Sequence, residues 1–383
     1  MIRRNDEGSG APARAPLSEL MIDGILSRHE PSRMRWHYQD GFLLAAVERA
    51  AERTGRADCR RFIRESLSRL VGPDGTIAGL RGEEANLDQI CPGNLLFRLY
   101  RENGDERDGK ALAGLRGELG AQPRTRTGGF WFRRACPGQM WLNGVYMAVP
   151  FYARSASVFG EKDAFHDVAH QLVLMEENAR DPRTGLLSHA WDESRRQLWA
   201  NPETGRSASF WGRAMGWYAM AVVDVFERFP LEHPDRTVLA GVMQRLAKAL
   251  AACQDGESGL WFQVVDQGKR AGNYLEASAS CMYVYAIMKA VRLGCLSGEG
   301  WREIAARAYR GIRERFLAAD EKGRLSMQGT CGSAGLGGNP YRDGSFAYYC
   351  GIPTGANDPR GVASFVLASL EMEEEAGEGE EVR

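Results

Sequence analysis

From Gln139 to Arg154 the chain reads Gln-Met-Trp-Leu-Asn-Gly-Val-Tyr-Met-Ala-Val-Pro-Phe-Tyr-Ala-Arg, with no charge before the last residue. A surface helix keeps a polar face at helical period, so a helix apolar on every side has to be enclosed by other structure. The pattern of a polar or aromatic entrance leading into an apolar helix recurs along the chain. It is seen in Trp36-His-Tyr-Gln-Asp-Gly-Phe-Leu-Leu, Gln89-Ile-Cys-Pro-Gly-Asn-Leu-Leu-Phe, Phe210-Trp-Gly-Arg-Ala-Met-Gly-Trp-Tyr, Ser278-Ala-Ser-Cys-Met-Tyr-Val-Tyr and Asp358-Pro-Arg-Gly-Val-Ala-Ser-Phe. The six starts lie roughly 50 to 80 residues apart.

Amphipathic helical patterns follow several of these segments, at 56–70, 163–177, 237–253 and 300–316. Short turns with a glycine come next, as in Asp74-Gly-Thr-Ile, Gly128-Gly-Phe-Trp-Phe, Thr184-Gly-Leu-Leu-Ser-His and Ser258-Gly-Leu-Trp-Phe. Runs with strand period are too short for a large sheet. A repeat of buried helix, covering helix and turn, with the buried helix seen six times, predicts a closed all-α toroid. The expected fold is an (α/α)6 barrel over residues 17–370, with an open solenoid as the alternative. A Gly-, Pro- and charge-rich segment at 1–16 is expected to be disordered, and residues 371–383 to form an acidic solvated tail.

If the six buried helices run the same way, their entrances meet at one end. Six helix N-termini there favour an anion. The same end would gather Trp36, His37, Tyr38, Asp88, Trp141, Asn143, Trp211, Arg213 and Trp217. Arg213 is read in two ways: a structural cation paired with an acid such as Asp192, or a fork gripping a substrate carboxylate. His189, directly after a glycine turn, is either a satisfied structural histidine or a group that contacts a hydroxyl or water. Asp88 has the position of a helix N-cap, which leaves it available to a ligand as well. The Gly-rich stretch 329–338, with Ser333 inside it, reads as a loop over the mouth.

A formal net charge of -1 gives no electrostatic reason to expect nucleic acid or an anionic membrane as a partner. Eight cysteines without a CxxC pair, several inside apolar runs, read as buried thiols in a reducing compartment rather than as a zinc site. With no signal-peptide pattern and no run of membrane-spanning length, a cytoplasmic location is expected. Nothing in the residues sets an oligomeric state.

Arg35-Trp-His-Tyr, Gly128-Gly-Phe-Trp-Phe, Gln139-Met-Trp-Leu-Asn-Gly-Val-Tyr-Met, His189-Ala-Trp-Asp-Glu-Ser, Trp199-Ala-Asn-Pro-Glu-Thr-Gly, Phe210-Trp-Gly-Arg-Ala-Met-Gly-Trp-Tyr and Leu275-Glu-Ala-Ser-Ala-Ser-Cys resemble, in order, motifs of the unsaturated rhamnogalacturonyl hydrolases. These form glycoside hydrolase family 105, relatives of the family 88 unsaturated glucuronyl hydrolases. The resemblance implies an (α/α)6 barrel. It also implies a role in pectin breakdown, by release of a 4,5-unsaturated galacturonic acid from rhamnogalacturonan fragments, without metal or organic cofactor. An acid protonates C4 of the double bond and water adds at C5, so the carboxylate-spacing rule of ordinary glycosidases does not apply. By the same resemblance Asp88 and His189 act at the reacting sugar and Arg213 holds the uronate. Tyr38, Trp141, Trp211 and Trp217 shape the pocket.

The family keeps its general acid/base, an aspartate, at the position occupied here by Asn143. An amide neither donates a proton at useful pH nor takes one from water. The expectation is a chain that binds the unsaturated sugar and turns it over slowly. The alternatives are a non-catalytic binder or sensor on the same barrel, and a family 88 glucuronyl hydrolase.

Overall fold

The computed structural model describes residues 15–381. Its helices, in chain order, are α1 (Leu17–Arg28), α2 (Tyr38–Thr54), α3 (Ala57–Ser68), α4 (Leu96–Asn103), α5 (Glu106–Gly120), α6 (Leu142–Phe159), α7 (Ala164–Ala179), α8 (Gly212–Arg228), α9 (Asp235–Ala252), α10 (Ala277–Arg292), α11 (Trp301–Phe316), α12 (Phe346–Cys350) and α13 (Pro359–Glu381). The six entrance segments lead into α2, α4, α6, α8, α10 and α13. α6 packs on α8, α8 on α10, α10 on α13 and α13 on α2, while the 3-10 turn Cys91–Leu95 ahead of α4 bridges α2 and α6, so the inner ring is closed. The outer layer is α1, α3, α5, α7, α9 and α11. The chain is an (α/α)6 barrel, and the open solenoid is excluded by the α13–α2 contact.

Two outer helices, α1 and α5, lie where no amphipathic pattern was assigned. Four glycines (109, 114, 117 and 120) dilute the helical signal of α5, which is started by Asp105 accepting from the Arg107 N–H at 3.0 Å. The second inner element is also less regular than its apolar run suggests. Short 3-10 turns at Leu87–Gln89 and Cys91–Leu95 precede α4, because Pro92 supplies no N–H to a longer helix. Gly93 lets this segment approach closely: a Cβ there would lie 2.5 Å from Leu115 and 2.9 Å from Phe151.

The glycine turns bring the chain from each outer helix back to the end where the next inner helix starts. Gly128 (φ 93°) and Gly185 (φ 74°) adopt the left-handed backbone that such a reversal needs. Asp181 ties its turn by accepting from the N–H groups of Arg183 and Thr184. Strand content is confined to two-stranded pairs. The pair that matters for the site is β1 (Gln139–Trp141) with β2 (Ala190–Asp192), antiparallel, with Trp141 opposite Ala190.

The acidic stretch from Glu371 is not a tail where it begins. It continues α13, and Glu371, only 4% exposed, takes two hydrogen bonds from Arg292 at 2.7 and 2.8 Å. Glu373 accepts from the Ser18 N–H and hydroxyl on α1, at 3.1 and 2.6 Å. All but the last two residues of the segment 1–16 lie outside the described residues. All eight cysteines are free thiols. Among the described residues no helix is long and apolar enough to cross a membrane.

Candidate active site

A cavity of about 540 Å³ opens at the end where the inner helices begin. The start of α2 contributes Tyr38, the 3-10 turn before α4 Asp88, the β1–α6 junction Trp141 and Asn143, the start of α8 Trp211 and Arg213, and the start of α13 Arg360. Trp217, one turn further into α8, lies at the floor against Phe42 and Tyr146, with ring centroids 4.6 and 4.7 Å away. Trp36, counted with this group from its sequence position, does not line the cavity; its indole N–H donates to the Gln89 carbonyl at 2.8 Å. The 329–338 stretch does cross the mouth, and residues 333–338 form part of the wall.

The apolar helix α6 begins at Leu142 rather than Gln139, because residues 139–141 are extended and paired with β2. That pairing places Asn143. The Leu142 N–H donates to the His189 carbonyl at 3.0 Å, and the Asn143 Oδ1 lies 3.1 Å from His189 Nε2. The histidine is fully buried behind the cavity wall, edge-on to Trp141 and Trp211 at 5.1 and 4.8 Å. Its Nδ1 is 2.7 Å from the Tyr349 hydroxyl. Burial, with Arg213 and Arg342 nearby, pushes its pKa down to about 3, so the imidazole is neutral.

Asp88 is not the helix cap its position suggested. Asn86 is, accepting from the Asp88 N–H at 3.2 Å, which leaves the Asp88 carboxylate to the cavity. Burial raises its pKa to about 6, against the pull of Arg133 at 3.7 Å. Arg213 is not paired with Asp192. Its guanidinium donates to the Cys331 carbonyl at 2.7 Å and to the Gly332 carbonyl, anchoring the loop over the mouth. Asp192 instead accepts from the N–H groups of Ser194, Arg196 and Gln197 and shapes the turn that leads to the wall residues Gln197 and Trp199.

Several wall residues had no assigned role in the sequence. Arg133 and Arg342 add guanidinium groups at the rim, and Arg360 adds a third. The Arg360 position was readable by analogy with Arg213, since each is a guanidinium at an inner-helix entrance. Arg360 is held by Asp358 and donates to the Ser333 Oγ at 2.7 Å. Tyr349, on the short α12, carries no local signal. With four arginines and a single carboxylate, Asp88, lining it, the cavity is suited to a negatively charged ligand with ring faces for stacking. The one cluster with metal-ligand chemistry among the described residues, His166, His233 and Asp235, lies outside the cavity lining.

Comparison with known proteins accords with this architecture. The family model described as Glycosyl Hydrolase Family 88 matches residues 21–376. A solved glycoside hydrolase from family 105 of C. acetobutylicum is 42% identical, with a TM-score of 0.91 over 94% of this chain and 99% of that one. The unsaturated rhamnogalacturonyl hydrolase YesR of Bacillus subtilis is 30% identical over 320 residues, 80% of this chain and 83% of its own. Protein Atu3128 of Agrobacterium fabrum is 37% identical over 232 residues, 59% of this chain and 97% of its own. The chain therefore belongs to the unsaturated glycoside hydrolases of the family 88 and 105 group.

Proposed function

We propose that the chain binds oligosaccharides that end in a 4,5-unsaturated galacturonic acid, of the kind left from rhamnogalacturonan, and that as it stands it hydrates them slowly. The uronate enters a cavity rich in guanidinium groups, with Trp211, Trp217 and Trp141 offering ring faces and Asp88 a hydroxyl partner. The observation that carries the reading is Asn143: it stands on the cavity wall beside His189, where the resemblance puts a proton donor, and an amide cannot serve as one. The name of YesR supports the choice of rhamnogalacturonan over glycosaminoglycan fragments.

The test is Asn143→Asp, followed by the loss of ultraviolet absorbance of an unsaturated galacturonyl-rhamnose. A rate increase on the order of 10²–10⁴-fold is expected, the usual size of positioned acid–base catalysis. No increase would sink the assignment of position 143. The pKa of Asp88 favours a second reading, in which Asp88 supplies the proton. It predicts substantial turnover by the unmodified chain, abolished in Asp88→Asn. Binding without turnover in every variant would make the chain a sugar-binding protein.

A further inference from the structure

We infer that Tyr349 is a positioning residue: acting through His189, it turns the side chain at position 143 so that its Oδ1 faces the imidazole and its other end faces the cavity. This rests on the reading of the cavity given above, but its geometry stands apart from any activity.

One proton, that of the Tyr349 hydroxyl, sets the arrangement. The Tyr349 hydroxyl is fully buried, and among the described residues its single hydrogen-bonding partner is His189 Nδ1 at 2.7 Å. A phenol in a dry environment keeps its proton, and burial holds the pKa of this one well above its ordinary value. If the oxygen accepted a hydrogen bond from an Nδ1–H, its own proton would be left unpaired in the core, a desolvation cost that the reverse arrangement avoids. The hydroxyl therefore donates to Nδ1. A neutral imidazole that accepts at Nδ1 carries its proton at Nε2. That N–H points at position 143, 3.1 Å from Oδ1, which accepts it.

The amide orientation follows. With Oδ1 engaged, the Nδ2 group of Asn143 faces the cavity and presents N–H donors to a sugar oxygen. With aspartate at this position, the same imidazole would hold one carboxyl oxygen and leave the other, with its proton, directed at the ligand. The surroundings resist rearrangement. Tyr349 stacks on Trp211 at 5.6 Å with an interplanar angle of 18°, and its carbonyl accepts from Gln263 Nε2 at 3.1 Å. Tyr349 belongs to α12, 160 residues from His189 in sequence, so the segment near the mouth sets the dipole at the reacting position. The neighbouring Tyr348 hydroxyl accepts from the Gly335 N–H at 3.0 Å, which ties α12 to the loop over the mouth.

The experiment is 15N NMR of the histidine side chains in the full chain and in Tyr349→Phe, which retains the ring and its stacking. The unmodified chain is expected to show His189 as a single Nε2–H tautomer that does not titrate between pH 5 and 8. In Tyr349→Phe the Nδ1–H tautomer should become populated. An Nδ1–H tautomer in the unmodified chain, or an unchanged spectrum in Tyr349→Phe, overturns the proposal. In the Asn143→Asp background, Tyr349→Phe should lower kcat by on the order of 10–100-fold, the size seen when a group that orients a metal-bound histidine is removed, with KM within about twofold. A rise in KM with kcat unchanged also overturns it. If the tautomers behave as stated while no unsaturated uronide binds, the functional reading fails and the positioning role stands. The resonances of the other five histidines in Tyr349→Phe report on its folding independently, through the same spectrum.

Discussion

Arg213 lies at an inner-helix entrance with its guanidinium turned to two main-chain carbonyls, those of Cys331 and Gly332. A hydrogen bond from a charged donor contributes roughly 1.5–3 kcal/mol, and Met at this position leaves both carbonyls without it. We expect Arg213→Met to lower the Tm and to make the 329–338 loop susceptible to limited proteolysis, with ligand affinity falling as the loop loosens. An unchanged Tm with lost affinity would show that the guanidinium serves the ligand directly. Asp88 makes a different prediction, because its carboxyl is held up near 6 by burial against the opposing pull of Arg133. Its protonated fraction falls as pH rises through that value. If it is the acid, kcat/KM of the unmodified chain falls on that limb, and Arg133→Gln moves the limb to higher pH by removing the cation that lowers it. A pH–rate profile that is flat from 5 to 8 would remove Asp88 from the proton's path.

At the scale of elements, the β1–α6 junction does the placing. Three extended residues paired with β2 bring His189 alongside the first turn of α6, and a one-residue slip of that ladder would turn the Trp141 side chain to the other face. Tertiary pairing overrides the helical reading of Gln139–Trp141, since the apolar pattern there fits either state. The other ends of the inner helices carry a separate polar group. Glu48 on α2 is 7% exposed, lines a cavity of about 120 Å³, and has one oxygen without a hydrogen-bonding partner. Burial raises its pKa to about 7, with Arg154 opposing. A carboxyl whose folded pKa is raised is most favourable to the fold when protonated, so this contribution fades as pH rises from its ordinary value through 7. Glu48→Gln should therefore raise stability at pH 8 relative to its effect at pH 5, by about 1–3 kcal/mol in denaturant melts, given about 1.4 kcal/mol per pKa unit. An equal effect at both pH values would show that the carboxyl is ionised in the fold.

The whole molecule is closed by contacts between its two ends. α1 packs on α13, Ser18 donates to Glu373, and Arg292 on α10 holds Glu371. Ending the chain at Leu370 removes Glu371 and leaves the partly buried Arg292 without its bidentate partner. We expect a Tm lowered by a few degrees, since removing one partner of a buried pair costs about 3–5 kcal/mol and, at about 2.1 cal/mol/K per residue, 1 kcal/mol moves the Tm of a chain this long by roughly 1 °C. A Tm unchanged by that truncation would mean that ring closure rests on the apolar face of α13 alone. The six inner helices were legible because enclosure writes itself locally: a segment without a charged face cannot sit at the surface. The placement of Asn143 near an entrance was legible for the same reason, and family resemblance then gave that position its meaning. The helix α5 was masked by its glycines. The cap role lent to Asp88 was misplaced because the turn starts earlier: Asn86 caps it by accepting from the Asp88 N–H, which puts Asp88 inside the turn. What lay beyond the sequence were the partners of polar groups. Arg213 meets carbonyls 118 and 119 residues away, and His189 meets a tyrosine 160 residues away, at distances that only the closed ring sets. Burial pattern is a property of neighbours along the chain and so is written in it. Hydrogen bonding inside a barrel is a property of neighbours across it, and there the tertiary structure alone decides which proton goes where.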